Sequence, residues 1–321
     1  MKQFLKKILV FGIIVLAIAS VIQIAISARI KGKTISGHDH LTIYQGQPFD
    51  ILFLGSSRCS DHFVPSLFKE NLGLTSLNMG GIGHADIPYF VMKLKYFLLL
   101  HPAPKYVVMN FDPMTVDGEL NLKGNKHLLS KHYFSRYAFF TEENNAMVND
   151  YFGYNIAEKY VPLYAILKYK MLPDCITMKD GNNWMQKGYL EQKGVWKFDP
   201  VAQKDAVSHG HADTFRMRYD IIKSQMGYLK DLCAKNGAKL ICVQTPLFAK
   251  VYEEKGFELP GQMCAELGIP YIDMHNTSIS DSVQNFADML HLNTTGVQLF
   301  CKRLCTDSTF LAALTNSTHK P

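Results

Sequence analysis

The stretch from Asp50 to Pro65 reads DILFLGSSRCSDHFVP, and the rest of the chain is organised around it. Ile51 to Leu54 form a short continuous apolar run, the pattern of a parallel strand covered on both faces. Gly55 lets the chain turn sharply, because it has no Cβ to clash. Ser56 and Ser57 then stand where a helix begins. A serine there can simply cap the helix. It can also act as a nucleophile, because free backbone N–H groups and the helix dipole favour negative charge developing beside it.

Around this stretch the chain alternates strand and helix. Pro65 to Asn71 is predicted helical, Leu74 to Met79 a strand ending in Gly80-Gly81-Ile82-Gly83-His84, and Ile87 to Leu100 an apolar helix stopped by His101-Pro102. Tyr106 to Met109 is a third strand, followed by Asn110-Phe111-Asp112-Pro113. The rhythm resumes with an amphipathic helix from Tyr219 to Ala234, a strand from Lys239 to Val243, a helix over Gly261 to Leu267 and a short strand from Pro270 to Asp273. Such alternation predicts a parallel sheet between two helical layers with right-handed crossovers. Residues 114–215 break the pattern. They read as a long helical insertion, a lid or substrate wall, with helices over Ser130 to Tyr137 and Asn155 to Met171. Trp184 and Trp196 fall in it.

The N-terminus opens MKQFLKK and continues with roughly 19 almost purely apolar residues, Ile8 to Ile26. At 1.5 Å rise per residue they reach about 28 Å, close to a bilayer core. Ala25-Ile26-Ser27 offers a signal-peptidase pattern, but the apolar run is longer than the usual signal core, so residues 1–28 read as a retained anchor. Lysines and arginines lie on both sides, so charge does not set the orientation. Everything after the span resembles one soluble domain, which places that domain outside the cytoplasm. Residues 29–48 read as a linker, 49–310 as the α/β domain and 311–321 as a tail.

Composition excludes some classes. At 47% hydrophobic and 19% charged the chain is globular, not disordered. The net charge of +6 is mild, its lysines are scattered, and no RNA or DNA motif accompanies them, so nucleic acid is a poor partner. The seven cysteines have no C-x-x-C pair that would suggest zinc. His38-Asp39-His40 and His209-Gly210-His211-Ala212-Asp213 resemble metal clusters in composition; the ordinary reading of both is a solvated loop.

Near the C-terminus comes Asp288-Met289-Leu290-His291-Leu292-Asn293-Thr294-Thr295-Gly296. Asn293 or Thr294 can cap a last helix striped by Val297, Phe300, Cys301 and Leu304. Asp288 and His291, three apart in a turn, let the carboxylate hold Nδ1–H and leave Nε2 free to take a serine proton.

With these blocks the chain resembles the SGNH/GDSL hydrolases, and more closely their membrane-anchored relatives whose first motif reads Gly-Ser-Ser. The resemblance covers residues 50–113 and about 219–306. It implies a three-layer flavodoxin-like sheet. Ser57 would be the nucleophile, with Asp288 and His291 as its triad partners and Ser56 as the support residue in place of the family's aspartate. The second block, Asn78 to Gly83, would supply the Gly83 N–H to an oxyanion hole. The family's third block is Gly-x-Asn-Asp; this chain has Asn110-Phe111-Asp112, leaving Asn110 as the amide available. The implied activity is a serine esterase or O-acyltransferase without metal or organic cofactor, acting on an acylated cell-surface glycan or small ester, with a membrane acyltransferase as a candidate partner. The alternative is a catalytically weak partner protein in a surface-polymer complex. A metal enzyme built on His209, His211 and Asp213 is a further alternative.

Overall fold

The computed structural model describes residues 1–30, 44, 46–81, 86–115, 154–170, 172–177, 185–197, 211–249 and 256–315. The chain divides into two compact units, residues 1–45 with 122–181, and residues 46–121 with 182–321.

The second unit is α/β. Its five-stranded sheet consists of β1 (Ile51–Leu54), β2 (Ser76–Asn78), β3 (Tyr106–Asn110), β6 (Lys239–Gln244) and β7 (Tyr271–Asp273), in the order β2-β1-β3-β6-β7. Every neighbouring pair is parallel. The strands are apolar on both faces because helices cover both. On one face Ile51, Phe53, Val108, Ile241, Val243 and Ile272 share a core with residues of α2 (Ser57–His62), α3 (Pro65–Leu72), α11 (Thr294–Thr306) and α12 (Ser308–Thr315). The alternate positions Leu52, Leu54, Val107, Met109, Leu240 and Cys242 are equally buried. On that side α4 (Ile87–Leu100) contacts β1 and α9 (Tyr219–Lys235), α9 contacts β6, and α10 (Leu259–Leu267) contacts β7. A side chain alternates across the sheet at every step, so burial on both faces is what turns these strands into unbroken apolar runs.

All strands run the same way, but the order in which the chain adds them reverses between β1 and β3. β2 lies to one side of that pair and β6 to the other, so the loops after β1 and β3 part there. Two glycines make room for α2, Gly55 in the turn after β1 and Gly80 after β2. Gly55 has φ +150, and a Cβ on it would come within 2.7 Å of the Cys59 Cβ and 2.9 Å of the Asn110 Cβ. At Gly80 a Cβ would meet the Ser60 backbone nitrogen at 2.2 Å. Small residues at both points let α2 lie directly on the strand ends.

Two parts of this unit's boundaries differ from the sequence expectation. First, the tail does not begin at residue 311, since α12 continues to Thr315 and buries Phe310, Ala313 and Leu314. The Asp307 side chain accepts the Phe310 N–H and starts it. Second, residues 114–215 are not one insertion. The hairpin of β4 (Met185–Gln186) and β5 (Tyr189–Leu190) and the strap after it belong to the α/β unit. There the Trp196 ring packs edge-on against Phe248, and the Trp196 backbone N–H donates to the Phe286 carbonyl. Residues 122–181 cluster instead with the N-terminal segment.

In that other unit α1 (Lys2–Ile30) is a single helix, and its segment Lys2–Ile26 is long and apolar enough to cross a membrane, with a mean hydropathy of 2.8. Asn155 to Met171 was expected as one helix. It forms two, α5 (Ile156–Tyr160) and α6 (Tyr164–Lys168), because Leu163 between them takes a left-handed φ of +63. A third, α7 (Leu172–Thr177), follows. Ser130 to Tyr137, Trp184 and residues 31–43 lie outside the described residues.

Candidate active site

Ser57 is the first residue of α2, directly after the Gly55 turn. The Ser56 side chain caps the helix by accepting the Arg58 N–H at 3.3 Å. Ser56 therefore supports the turn rather than reaching out of it. As the first helical residue, Ser57 has an N–H with no acceptor inside α2.

The histidine arrives from the far end of the chain. Asp288 builds a turn: its Oδ1 accepts the N–H of Leu290 at 2.8 Å and of His291 at 2.9 Å. Both Asp288 oxygens also stand 2.9 Å from His291 Nδ1. The Ala287 N–H donates to the His291 carbonyl, and Asn293 caps α11 by accepting the Gly296 N–H. The loop is thus fixed on both sides of the histidine. With Nδ1–H held by the carboxylate, Nε2 is free to accept, and it lies 2.9 Å from Ser57 Oγ. The sequence-predicted residues Ser57, His291 and Asp288 therefore form one hydrogen-bonded chain. Burial raises the Asp288 carboxyl, but the hydrogen bond and charge of His291 and the two backbone donors together hold it below its usual value. Asp288 is 51% exposed, so solvent screens part of its field.

Further groups surround this chain, led by Asp61 and His62, and the sequence reading missed their roles. Asp61 is buried, with Oδ2 3.8 Å from His291 Nε2. Ser60 Oγ donates to Asp61 at 2.5 Å and Gln192 Nε2 at 2.9 Å. Burial raises the Asp61 carboxyl more than the nearby His291 and these donors lower it. His62 is fully buried, and its Nε2 accepts the Leu292 N–H at 3.0 Å. Its Nδ1 must then carry the proton, which goes to Thr245 Oγ1 at 2.9 Å. Thr245 Oγ1 accepts in addition from Arg58 Nη2 at 2.7 Å. The other arm of Arg58 pairs with Asp112 at 2.5 Å, with both side chains buried. These groups tie α2 to the ends of β3 and β6 and to the backbone beside His291. The spacing carried a signal: Ser57 and Asp61, and Arg58 and His62, are each four apart in SRCSDH, so on a helix each pair shares a face.

The expected oxyanion donors are placed less simply. Gly83 lies outside the described residues. The two earlier glycines of that block are engaged: the Gly80 N–H donates to Asn78 Oδ1 and the Gly81 N–H to the Gly55 carbonyl. Asn78 also ties α2 down, donating to the carbonyls of Cys59 and Phe63, both at 2.8 Å. Asn110 ends β3 close to Gly55, but its amide is directed at Asp112 Oδ2 (3.3 Å) and the Val243 carbonyl (3.4 Å). Asp112 and Val243 thereby engage the Asn110 amide.

Of the histidine clusters, His38 to His40 and His209 lie outside the described residues, and Asp213 pairs with Arg216 at 2.8 Å. No group of three or more metal-ligating side chains occurs among the described residues. All seven cysteines are free and buried.

No protein-family model matches the chain, and no curated protein matches it.

Proposed function

We propose that this chain is a serine esterase or O-acyltransferase of SGNH type that works through an acyl-Ser57 intermediate. The observation that carries the reading is the hydrogen-bonded chain Ser57–His291–Asp288, assembled from residues 234 positions apart. Its parts match in role as well as distance: a hydroxyl, a ring nitrogen left free to accept, and a carboxylate fixing the tautomer. The sheet order supports it too. Counted in chain order, the main strands run 2-1-3-4-5, the flavodoxin-like order, and Ser57 follows β1 at the switch point where such sheets bind ligands.

In this mechanism Ser57 Oγ attacks the ester carbonyl while His291 Nε2 takes the hydroxyl proton. Asp288 steadies the imidazolium at Nδ1, and the buried Asp61 carboxylate faces the Nε2 side. The tetrahedral oxyanion takes the Ser57 N–H. The resemblance assigns Gly83 as a second donor. Collapse breaks the ester bond, and His291 returns the proton to the departing alcohol. Water or a sugar hydroxyl then attacks the acyl-serine, losing its proton to His291, and Ser57 is regenerated. The anchor helix suits an acylated cell-surface glycan or small ester as substrate, with the α/β unit outside the cytoplasm and a membrane acyltransferase as a fitting partner. The engaged Asn110 amide favours one other reading, a catalytically weak partner in a surface-polymer complex, because a missing oxyanion donor costs on the order of a hundredfold or more in rate.

Turnover of 4-nitrophenyl acetate by the full chain in detergent tests the proposal. Ser57→Ala should reduce kcat/KM on the order of a thousandfold or more, and Asp288→Asn should lower it substantially through loss of the tautomer. A Ser57→Ala variant with undiminished activity that a chelator abolishes would replace this reading with a metal-dependent one.

A further inference from the structure

The unit that contains α1 carries an exposed apolar face. α5 turns its carboxylate inward: Glu158 is buried, held by Lys168 at 2.6 Å and by the Asn155 N–H at 2.7 Å. Ile166, Tyr154 and Tyr169 are buried, but other large apolar side chains point outward. Ile156 is 78% exposed, Tyr160 68%, Leu167 56% and Ile176 57%, with Tyr164 beside them. Ile156 and Tyr160 are four apart on α5, and Tyr164 and Leu167 three apart on α6, so each pair shares a helix face. Isolated exposed apolar residues are ordinary; a run of them on helices that bury a carboxylate is not.

One hydrogen bond sets where this face stands relative to α1. Gln23 is buried within the apolar helix, and its Oε1 accepts the Leu163 N–H at 2.8 Å, at the turn between α5 and α6. Gln23 precedes Ile26, the end of the apolar segment, by three residues, or about 5 Å along the helix axis. α7 also packs against α1. The turn therefore sits just inside one end of the span. This is the depth of the headgroup–acyl boundary, where tyrosines concentrate and amphipathic helices bury their apolar face about 5–10 Å.

We propose that the face of α5, α6 and α7 bearing Ile156, Tyr160, Tyr164, Leu167 and Ile176 is seated in the lipid interface beside the exit of α1. The occupant is the bilayer because this face continues the apolar surface of a helix that itself lies almost wholly uncovered. Lys159 and Lys170, next to the apolar side chains, can reach anionic headgroups. The unit then works as a collar that fixes the depth and rotation of α1. The inference rests on reading α1 as a membrane span.

The test uses the full chain in phosphatidylcholine–phosphatidylglycerol vesicles, with an environment-sensitive fluorophore on Tyr160→Cys, Leu167→Cys or Val15→Cys. The native cysteines are all buried, so labelling is selective. At positions 160 and 167, quenching by a nitroxide at lipid carbon 5 should exceed quenching by aqueous iodide by about twofold or more. Val15 should respond to a nitroxide at carbon 12. If Val15 responds and 160 and 167 answer only to iodide, the interfacial seat is wrong while the span stands. If 160 and 167 are shielded from both quenchers, protein covers the face and the proposal falls. If Val15 itself meets no lipid, the span and the collar fall together.

Discussion

His62 accepts the Leu292 N–H at Nε2 and donates to Thr245 from Nδ1, and only a neutral ring can do both. Burial first, and then the charges of Arg58 and His291, hold its pKa well below the usual 6.5. The unfolded chain therefore binds a proton that the folded chain refuses. The stability this group contributes is present above pH 6.5 and is lost as pH falls from there towards the folded value. His62→Gln, which keeps a donor and an acceptor, should flatten that slope. Urea midpoints measured between pH 8 and pH 5 check it; equal slopes in both proteins would contradict the assignment. The raised carboxyl of Asp61 acts with opposite sign, but it is common to both proteins and cancels. Among single residues, Ser57, Asp288 and His291 were legible because each sits in a short motif with its own chemistry. Asp61, His62 and Thr245 were not, because their roles depend on which distant atoms they meet.

At the scale of elements, the strands were readable because burial on both faces leaves no polar position to interrupt the run. α12 was not. Only Asp307 separates it from α11, and its eight residues hold three buried side chains. Its place is set by distant donors: Lys239 Nζ reaches the Ala313 carbonyl at 2.7 Å, and the Tyr106 hydroxyl donates to the Leu314 carbonyl. Phe310 meets Phe68 of α3 edge-on. Phe310→Ala should therefore cost about 3–5 kcal/mol, the range for truncating a buried phenylalanine. Denaturant unfolding measures it, and a loss under about 1 kcal/mol would make α12 a peripheral tail after all. The hairpin after residue 184 escaped notice for a similar reason. Its two-residue strands carry no periodicity, and it is held by the Lys187 carbonyl accepting the Asn78 N–H.

At the scale of the whole molecule, the N-terminal apolar helix was plain from composition, whereas the partnership of residues 122–181 with residues 1–45 was not. Contacts such as Gln23 to Leu163 join positions 140 apart, and no local pattern announces them. The span predicts a simple partition. The full chain should stay in the membrane pellet through alkaline carbonate and leave it only with detergent, because about 20 apolar residues cannot be stripped by charge alone. Release by carbonate would contradict a retained anchor.

The central claim is that Ser57 is a nucleophile activated by His291. Reaction of the folded full chain with a fluorophosphonate, read by intact mass and peptide mapping, tests it most directly. One adduct on Ser57 is predicted in the wild type, none in Ser57→Ala, and strongly slowed labelling in His291→Ala. An unlabelled wild type, or an adduct at another residue that persists in Ser57→Ala, would contradict the account.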